Sequence, residues 1–191
     1  DKLEDWPETT KKIQSNWIGK SNGSEIRFMD AYGKFDISVF TTRPDTINGV
    51  SYIVVAPESD LVTQITKEEY REDVRKYIEQ TGRLTEIERL SSEREKTGVF
   101  TGAYVVNPIN GEKIPVWIAD YVLDDYGTGA VMAVPAHDKR DYEFAKKYKL
   151  TIKEVILGNE SREYTLPYTG KGTLINLSLI HISEPTRRSW I

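Results

Sequence analysis

The chemically useful side chains of this chain gather in two short segments. In the first, Thr41-Thr42-Arg43-Pro44-Asp45-Thr46, hydroxyls, a guanidinium and a carboxylate follow an alternating strand. A residue before proline is biased towards extended backbone, and Pro-Asp favours a turn, so hydroxyls from both sides of Pro44 can face one space. Such hydroxyls orient a water molecule or a ribose hydroxyl and resist bulkier groups. The same residues also fit a plainer description, a strand end with an Asx turn in which threonine is simply a good β-former.

The second segment runs from Tyr126 to Asp141 and reads Y-G-T-G-A-V-M-A-V-P-A-H-D-K-R-D. Gly127 and Gly129 let backbone approach a ligand closely, with Thr128 between them. Met132 and Val134 alternate along a short apolar strand and share a face. Asp138 and Asp141 fall in the first turn of a helix, beside its free N–H groups and the positive end of its dipole. A carboxylate there stays ionised and suits a substrate ammonium. The local alternative is that Asp138 caps the helix with Asp141 as its capping-box partner. His137 stands alone, because no Ser or Cys at a useful spacing completes a triad with it.

Residues so far apart in sequence meet only if a folded core brings them together, and 191 residues suffice for one domain with such a core. A hydrophobic share of 38% and a charged share of 29% describe a soluble globular chain. No apolar run approaches the roughly 18 residues of a membrane span. There are no cysteines, which excludes disulfides and thiolate metal sites. Two histidines without helical spacing argue against a zinc site. The net charge of −4, spread over mixed patches, is wrong for autonomous nucleic-acid binding, so phosphate affinity would have to come from a larger protein.

The elements follow from pattern. Leu3 to Gly19 reads as a helical connector, and Ser21 to Ser24 as a turn. Ile26 and Phe28, then Phe35, Ile37 and Val39, form a hairpin across the loop at Gly33. Ser51 to Ala56 is a buried strand. Thr66 to Thr81 is expected as a helix with a Thr66–Glu69 capping box and a stripe of Tyr70, Val74, Tyr77 and Ile78. Ser91 to Thr97 is expected as an irregular stretch or short helix. Val105 to Ile118 reads as a hairpin with Asn110-Gly111 at its tip, and Pro108 and Pro115 place it at edges or bulges. Val131 to Val134 is a strand, Lys139 to Tyr148 a helix capped by Asp138, and Thr151 to Leu157 a strand. The sum is a mainly β, α+β fold, with a β-barrel core and helical insertions.

The two segments together resemble the editing domain inserted in the leucyl-, isoleucyl- and valyl-tRNA synthetases, which carries a Thr-rich strand end and a G-T-G-A-V segment. T-T-R-P-D-T and M-A-V-P-A-H-D-K-R-D-Y-E-F-A follow the leucyl pattern, where the valyl type has R-P-E-T and the isoleucyl type T-P-W-T. W-P-E-T-T-K-K-I-Q-S-N-W-I-G-K-S and N-G-E-K-I-P-V-W add to the likeness, which covers about Leu3 to Asn176. The resemblance implies a closed β-barrel core with peripheral helices. It also implies a connector from the catalytic core over residues 1–20 and an editing domain over 21–176. The chain begins without Met and without a signal peptide, which reads as a piece of a longer, cytoplasmic protein. Leu177 to Arg187, L-S-L-I-H-I-S-E-P-T-R, resembles a translated sequencing adapter, so 177–191 reads as a non-native tail.

The resemblance further implies hydrolysis of the ester joining a noncognate amino acid, norvaline or isoleucine, to tRNA(Leu). Asp141 would hold the substrate ammonium from an exposed position in a pocket. Thr41, Thr42 and Arg43 would position the attacking water and the terminal adenosine. Thr46 would reject leucine by its bulk, with Met132 and Val134 completing the wall. Tyr126 and Asp138 would line or support the pocket, and Arg140 would face the tRNA. The expected partners are the aminoacylated 3′ end of tRNA(Leu) and the catalytic core of the parent synthetase. No cofactor or metal is needed here, ATP and magnesium belonging to the parent's synthetic site. The rival reading is a catalytically silent RNA- or domain-binding module of the same fold.

Overall fold

A computed structural model describes residues 7, 9–11, 23–91, 94–125, 127–158 and 165–176. Most of the expected connector, Tyr126 and the whole 177–191 tail lie outside the described residues. The core is a six-stranded sheet in the order β2-β1-β4-β5-β3-β6. β1 (Ser24–Asp30) and β2 (Asp36–Thr41) form the expected hairpin, with Ile26 opposite Val39 and Phe28 opposite Ile37. Gly33 takes the left-handed φ of 68° that its turn requires. β4 (Gly98–Val106) and β5 (Lys113–Ala119) are the second hairpin, turned at Gly111. β3 (Tyr52–Val55) runs parallel to β5 and antiparallel to β6 (Ala130–Ala133).

The barrel implied by the resemblance is not closed. The sheet curls until its two edge strands, β2 and β6, approach each other, but no ladder joins them. Closure needs hydrogen bonds on both sides of every strand. β6 is only four residues long, issues from a bend with φ of 67° and 66° at Gly127 and Gly129, and runs out towards Pro135, which has no N–H. β2 ends in a 3-10 turn, Pro44–Gly49, that also opens on proline. The fold is therefore mixed α+β, an open curled sheet with a separate two-stranded ribbon of β7 (Ile156–Gly158) and β8 (Gly172–Leu174). The strand expected from Thr151 to Leu157 begins only at Ile156.

Strand alternation sorts the core onto the two faces of the sheet. Ile53 and Val55 point to the side that holds Phe28, Ile37, Val39, Val116 and Met132. Tyr52 and Val54 point the other way, against Ala133, Phe144 and Ala145. β4 shifts register between Phe100 and Tyr104, where Gly102 has φ 78° and a Cβ would lie 2.4 Å from the Tyr70 ring. Pro115 pairs with Tyr104 just past that shift, and β5 joins β3 only from Val116, so its missing N–H breaks no ladder with β3.

The helices are α1 (Leu61–Ile65), α2 (Arg71–Thr81), α3 (Glu86–Leu90) and α4 (Lys139–Tyr148). The long helix expected from Thr66 is divided. Thr66 closes α1, its hydroxyl donating to the Val62 carbonyl at 2.6 Å. Lys67 is extended and its N–H binds Thr101 O at 2.9 Å, so helix resumes only after a 3-10 turn at Glu68–Tyr70. The expected stripe survives in α2, with Val74 buried and Tyr77 and Ile78 half-buried. The real capping box of this region is Thr85 with Glu88, which opens α3 just before the stretch expected to be irregular.

Candidate active site

β2 delivers the threonine turn. Arg43 N donates to Thr41 Oγ1 at 3.0 Å, and Thr46 Oγ1 donates to Arg43 O at 2.9 Å, so two of the hydroxyls hold the turn itself. Thr46 is buried at 3% exposure, while Thr42 is exposed and its hydroxyl meets no partner among the described residues. The Arg43 guanidinium grips Asp45 with two N–H groups, at 3.1 Å from Nε and 2.9 Å from Nη2. This contact raises Arg43 and holds the Asp45 carboxyl below its ordinary range. The pair is half-exposed, so it fixes direction more than it stabilises.

β6 and α4 deliver the acidic side. Met132 and Val134 share one face, as their alternation requires, and both are buried in the inner core. Asp138 caps α4, accepting from Arg140 N at 2.8 Å and Asp141 N at 3.1 Å. Arg140 is exposed, 3.7 Å from Asp138. Asp141 does not complete a capping box. Its carboxylate turns inward, Oδ2 accepting from Val134 N at 2.9 Å and Oδ1 from the Tyr121 hydroxyl at 3.3 Å. At 8% exposure it is not the open position expected from the sequence. The β6 chain end, left with a free N–H beyond Ala133, has drawn it inward. Burial first, then the neighbouring Asp138 charge, pushes the Asp141 carboxyl up to about 7, against the Val134 hydrogen bond that favours its charged form.

The two segments lie side by side at the curled edges of the sheet. A Cβ on Gly127 would meet the Phe40 side chain at 3.6 Å, and one on Gly49 would meet Val134 at 3.1 Å. Ser51 N donates to Ala133 O at 3.0 Å, which ties the chain just past the turn to the end of β6. The turn that follows Thr41 and the end of β6 are thus neighbours through Gly49 and Val134; Met132 lies on the same strand, Asp141 is bonded to Val134 N, and Asp138 caps the helix that carries Asp141. Tyr126 falls outside the described residues. A cavity of about 420 Å³ lies elsewhere, between the β1–β2 turn, Lys67 and Tyr104.

His137 is structural, as its isolation in the sequence indicates. Its Nε2 accepts from Val155 N at 3.0 Å and Ile156 N at 3.1 Å, which leaves Nδ1–H to donate to Tyr168 O at 2.8 Å. Tyr52 and Tyr121 belong to the site and escaped the sequence reading. Tyr52 lies in an apolar strand, where an aromatic residue reads as core. Nothing in its spacing tied Tyr121 to Asp141. Among the described residues no cluster of His, Cys, Asp and Glu could hold a metal ion, and no helix is long and apolar enough to cross a membrane.

A family model described as "Leucyl-tRNA synthetase, editing domain" matches residues 15–186. The chain belongs to this family. It is 58% identical over 172 residues to the leucine–tRNA ligase of Clostridium kluyveri, covering 90% of this chain and 21% of that one. It is 56% identical over 173 residues to the ligase of Borrelia hermsii, covering 90% of this chain and 20% of that one. Among solved structures it is similar to the agnB2 LeuRS of Agrobacterium radiobacter K84, in ternary complex with tRNA and LeuAMS. That similarity has a TM-score of 0.67 and 38% identity, over 86% of this chain and 20% of that one. The editing domain thus spans about a fifth of the length of the curated relatives it matches.

Proposed function

We propose that this editing domain performs post-transfer editing within a leucine–tRNA ligase, hydrolysing the ester of tRNA(Leu) charged with norvaline or isoleucine. One observation carries the reading: a buried carboxylate at the start of α4, Asp141, accepts from the N–H of Val134, whose side chain lies against Gly49 at the end of the hydroxyl-rich turn. Asp141 binds the α-ammonium, the one charge every aminoacyl ester offers, and the ammonium draws the carboxyl into its ionised form. Thr42, Thr41 and Arg43 orient the attacking water and the terminal adenosine, Arg43 in the direction set by Asp45. Water adds to the ester carbonyl, and the products are free amino acid and the tRNA 3′ hydroxyl. Thr46, its own hydroxyl committed to the turn, limits pocket depth with Met132 and Val134. Tyr126 and Asp138 line or support the pocket, and Arg140 faces the tRNA.

Discrimination supplies the reason for such a site. A synthetic pocket separates side chains differing by one methylene only about 10- to 200-fold, and a second, hydrolytic pocket multiplies that. The partners of this reading are the aminoacylated 3′ end of tRNA(Leu) and the parent's catalytic core, in the cytoplasm. The Agrobacterium relative was solved with tRNA, which supports the first of them. The domain needs neither metal nor cofactor, since an activated ester hydrolyses once water is oriented against it.

The test is deacylation of Ile-tRNA(Leu) and Leu-tRNA(Leu), by this chain and by a full-length ligase carrying it in place of its own editing domain. Asp141→Asn, which leaves an oxygen for the Val134 N–H, is expected to lower Ile-tRNA(Leu) deacylation about 10- to 150-fold, from loss of a charged contact of about 1.5–3 kcal/mol. Full activity in that variant would reject the assignment. Thr46→Ala is expected to expose Leu-tRNA(Leu) to hydrolysis while Thr46→Val is not. Intact Leu-tRNA(Leu) with Thr46→Ala would reject the size gate. A chain that binds Ile-tRNA(Leu) and never cleaves it would be the silent module.

A further inference from the structure

Asp141 is held by groups that none of the assigned roles uses. Tyr121 donates its hydroxyl to Oδ1 at 3.3 Å, and Tyr52 donates to the Asp141 main-chain carbonyl at 3.1 Å, the two phenol oxygens lying 3.4 Å apart. Both rings pack on Phe144 of α4, Tyr52 stacked at 5.2 Å and Tyr121 edge-on at 5.7 Å. Burial first, then the Asp141 charge, pushes both phenols above their ordinary range, so both remain protonated donors.

Tyr121 is itself fixed from behind. Arg89 of α3, only 4% exposed, donates from Nε to Asp120 O at 2.7 Å and from Nη2 to Val122 O at 2.8 Å. One guanidinium therefore spans the carbonyls on either side of Tyr121. Glu58 closes the far side, accepting from Arg89 Nη1 at 2.6 Å, and Lys96 Nζ donates to Arg89 O at 3.1 Å. Asp120, fully buried, accepts from Thr97 N at 3.0 Å and Thr97 Oγ1 at 2.7 Å, which pins the same strand end again. A planar fork held at all three of its nitrogens suits this better than a flexible ammonium.

We propose that Tyr121, braced by Arg89 across its flanking carbonyls, is a positioning residue that aims the Asp141 carboxylate and donates to its charged form for the substrate ammonium. The assignment rests on the editing reading for the ammonium and on the geometry alone for the rest. The proton inventory supports it. With Asp141 ionised, Tyr52 and Tyr121 each spend their one O–H on Asp141, on its carbonyl and its carboxylate respectively. With Asp141 neutral, its proton turns to Tyr121, which then donates to Tyr52. The charged groups facing Asp141 are Asp138 and Arg140 from α4, with Tyr121 and Tyr52 from the strand side.

The experiment follows the Asp141 carboxyl directly, by NMR of the full chain carrying 13Cγ-aspartate, with Asp141→Asn assigning the resonance. Tyr121→Phe keeps the ring on Phe144 and removes only the hydroxyl. The expected result is an Asp141 titration midpoint about half to one pH unit higher than in wild type, from a lost hydrogen bond to a charged group. The acid limb of kcat/KM for deacylation moves by the same amount, so activity falls about three- to tenfold below that limb and recovers above it. Tyr52→Phe, which frees no carboxylate oxygen, moves the midpoint less. Arg89→Lys, which cannot span both carbonyls, moves it in the same direction as Tyr121→Phe. An unchanged midpoint in Tyr121→Phe overturns the role of Tyr121, and an unchanged midpoint in folded Arg89→Lys overturns the brace. The titration is read without substrate, so absence of deacylation in wild type would count against the editing reading alone.

Discussion

Asp141 meets opposing demands. Its Oδ2 secures the end of β6 through the Val134 N–H, while the proposed chemistry needs it charged. In an unfolded chain an aspartate ionises near 3.9, and in the fold Asp141 ionises near 7. The folded protein binds the proton more tightly, so this group's stability contribution is complete below about pH 4 and is lost as pH rises through about 7. Asp141→Asn removes that dependence. Its stability relative to wild type, from urea midpoints, is expected to improve between pH 4 and pH 8 by on the order of a few kcal/mol. A difference that stays flat across that window would show that Asp141 ionises as freely in the fold as outside it.

Among the elements, α4 does the most for the site with the least sequence. Asp138 satisfies two first-turn N–H groups, Asp141 rides one turn into the helix, and Phe144 and Ala145 bury its inner face beneath Tyr52. Lys146 and Lys147 in its last turn complement the negative end of the dipole. Asp138→Ala is expected to cost about 1 kcal/mol through the lost cap, read as a lower urea midpoint. It also removes the like charge that raises Asp141, so the acid limb of deacylation is expected to fall to lower pH, opposite in sign to Tyr121→Phe. Movement to higher pH would mean that the cap, and not the charge, governs Asp141.

Across the whole molecule, the curl of an open sheet brings β2 and β6 together without bonding them, and the proposed site depends on that approach. Two unpaired edges leave room for backbone and hydroxyl groups to face a ligand, which a continuous ladder would occupy. A net charge of −4 gives the chain as a whole no attraction for a polyanion, so contacts such as that proposed for Arg140 would act locally. The isolated chain is therefore expected to deacylate Ile-tRNA(Leu) with a KM at least tenfold above that of the full-length ligase carrying it, with kcat within a few-fold. Equal KM values for the two would place the tRNA grip in this domain after all.

Local chemistry was readable in the sequence wherever it was local in fact. The Gly33 and Asn110-Gly111 turns, the alternation of β1 and β2, and the Asp138 cap each depend on residues within a few positions, and each stands where its pattern placed it. The motifs of the threonine turn and of M-A-V-P-A-H-D-K-R-D named the family for the same reason. Thr66 went astray because a long-range bond from Lys67 to Thr101 outweighed a sound helical pattern. Barrel closure also lay beyond the sequence, since it depends on whether two distant edges reach bonding register. The tertiary structure alone joined Tyr121, Tyr52 and Arg89 to Asp141, because burial and the pairing of distant polar groups are settled by packing and leave no period or spacing in the chain.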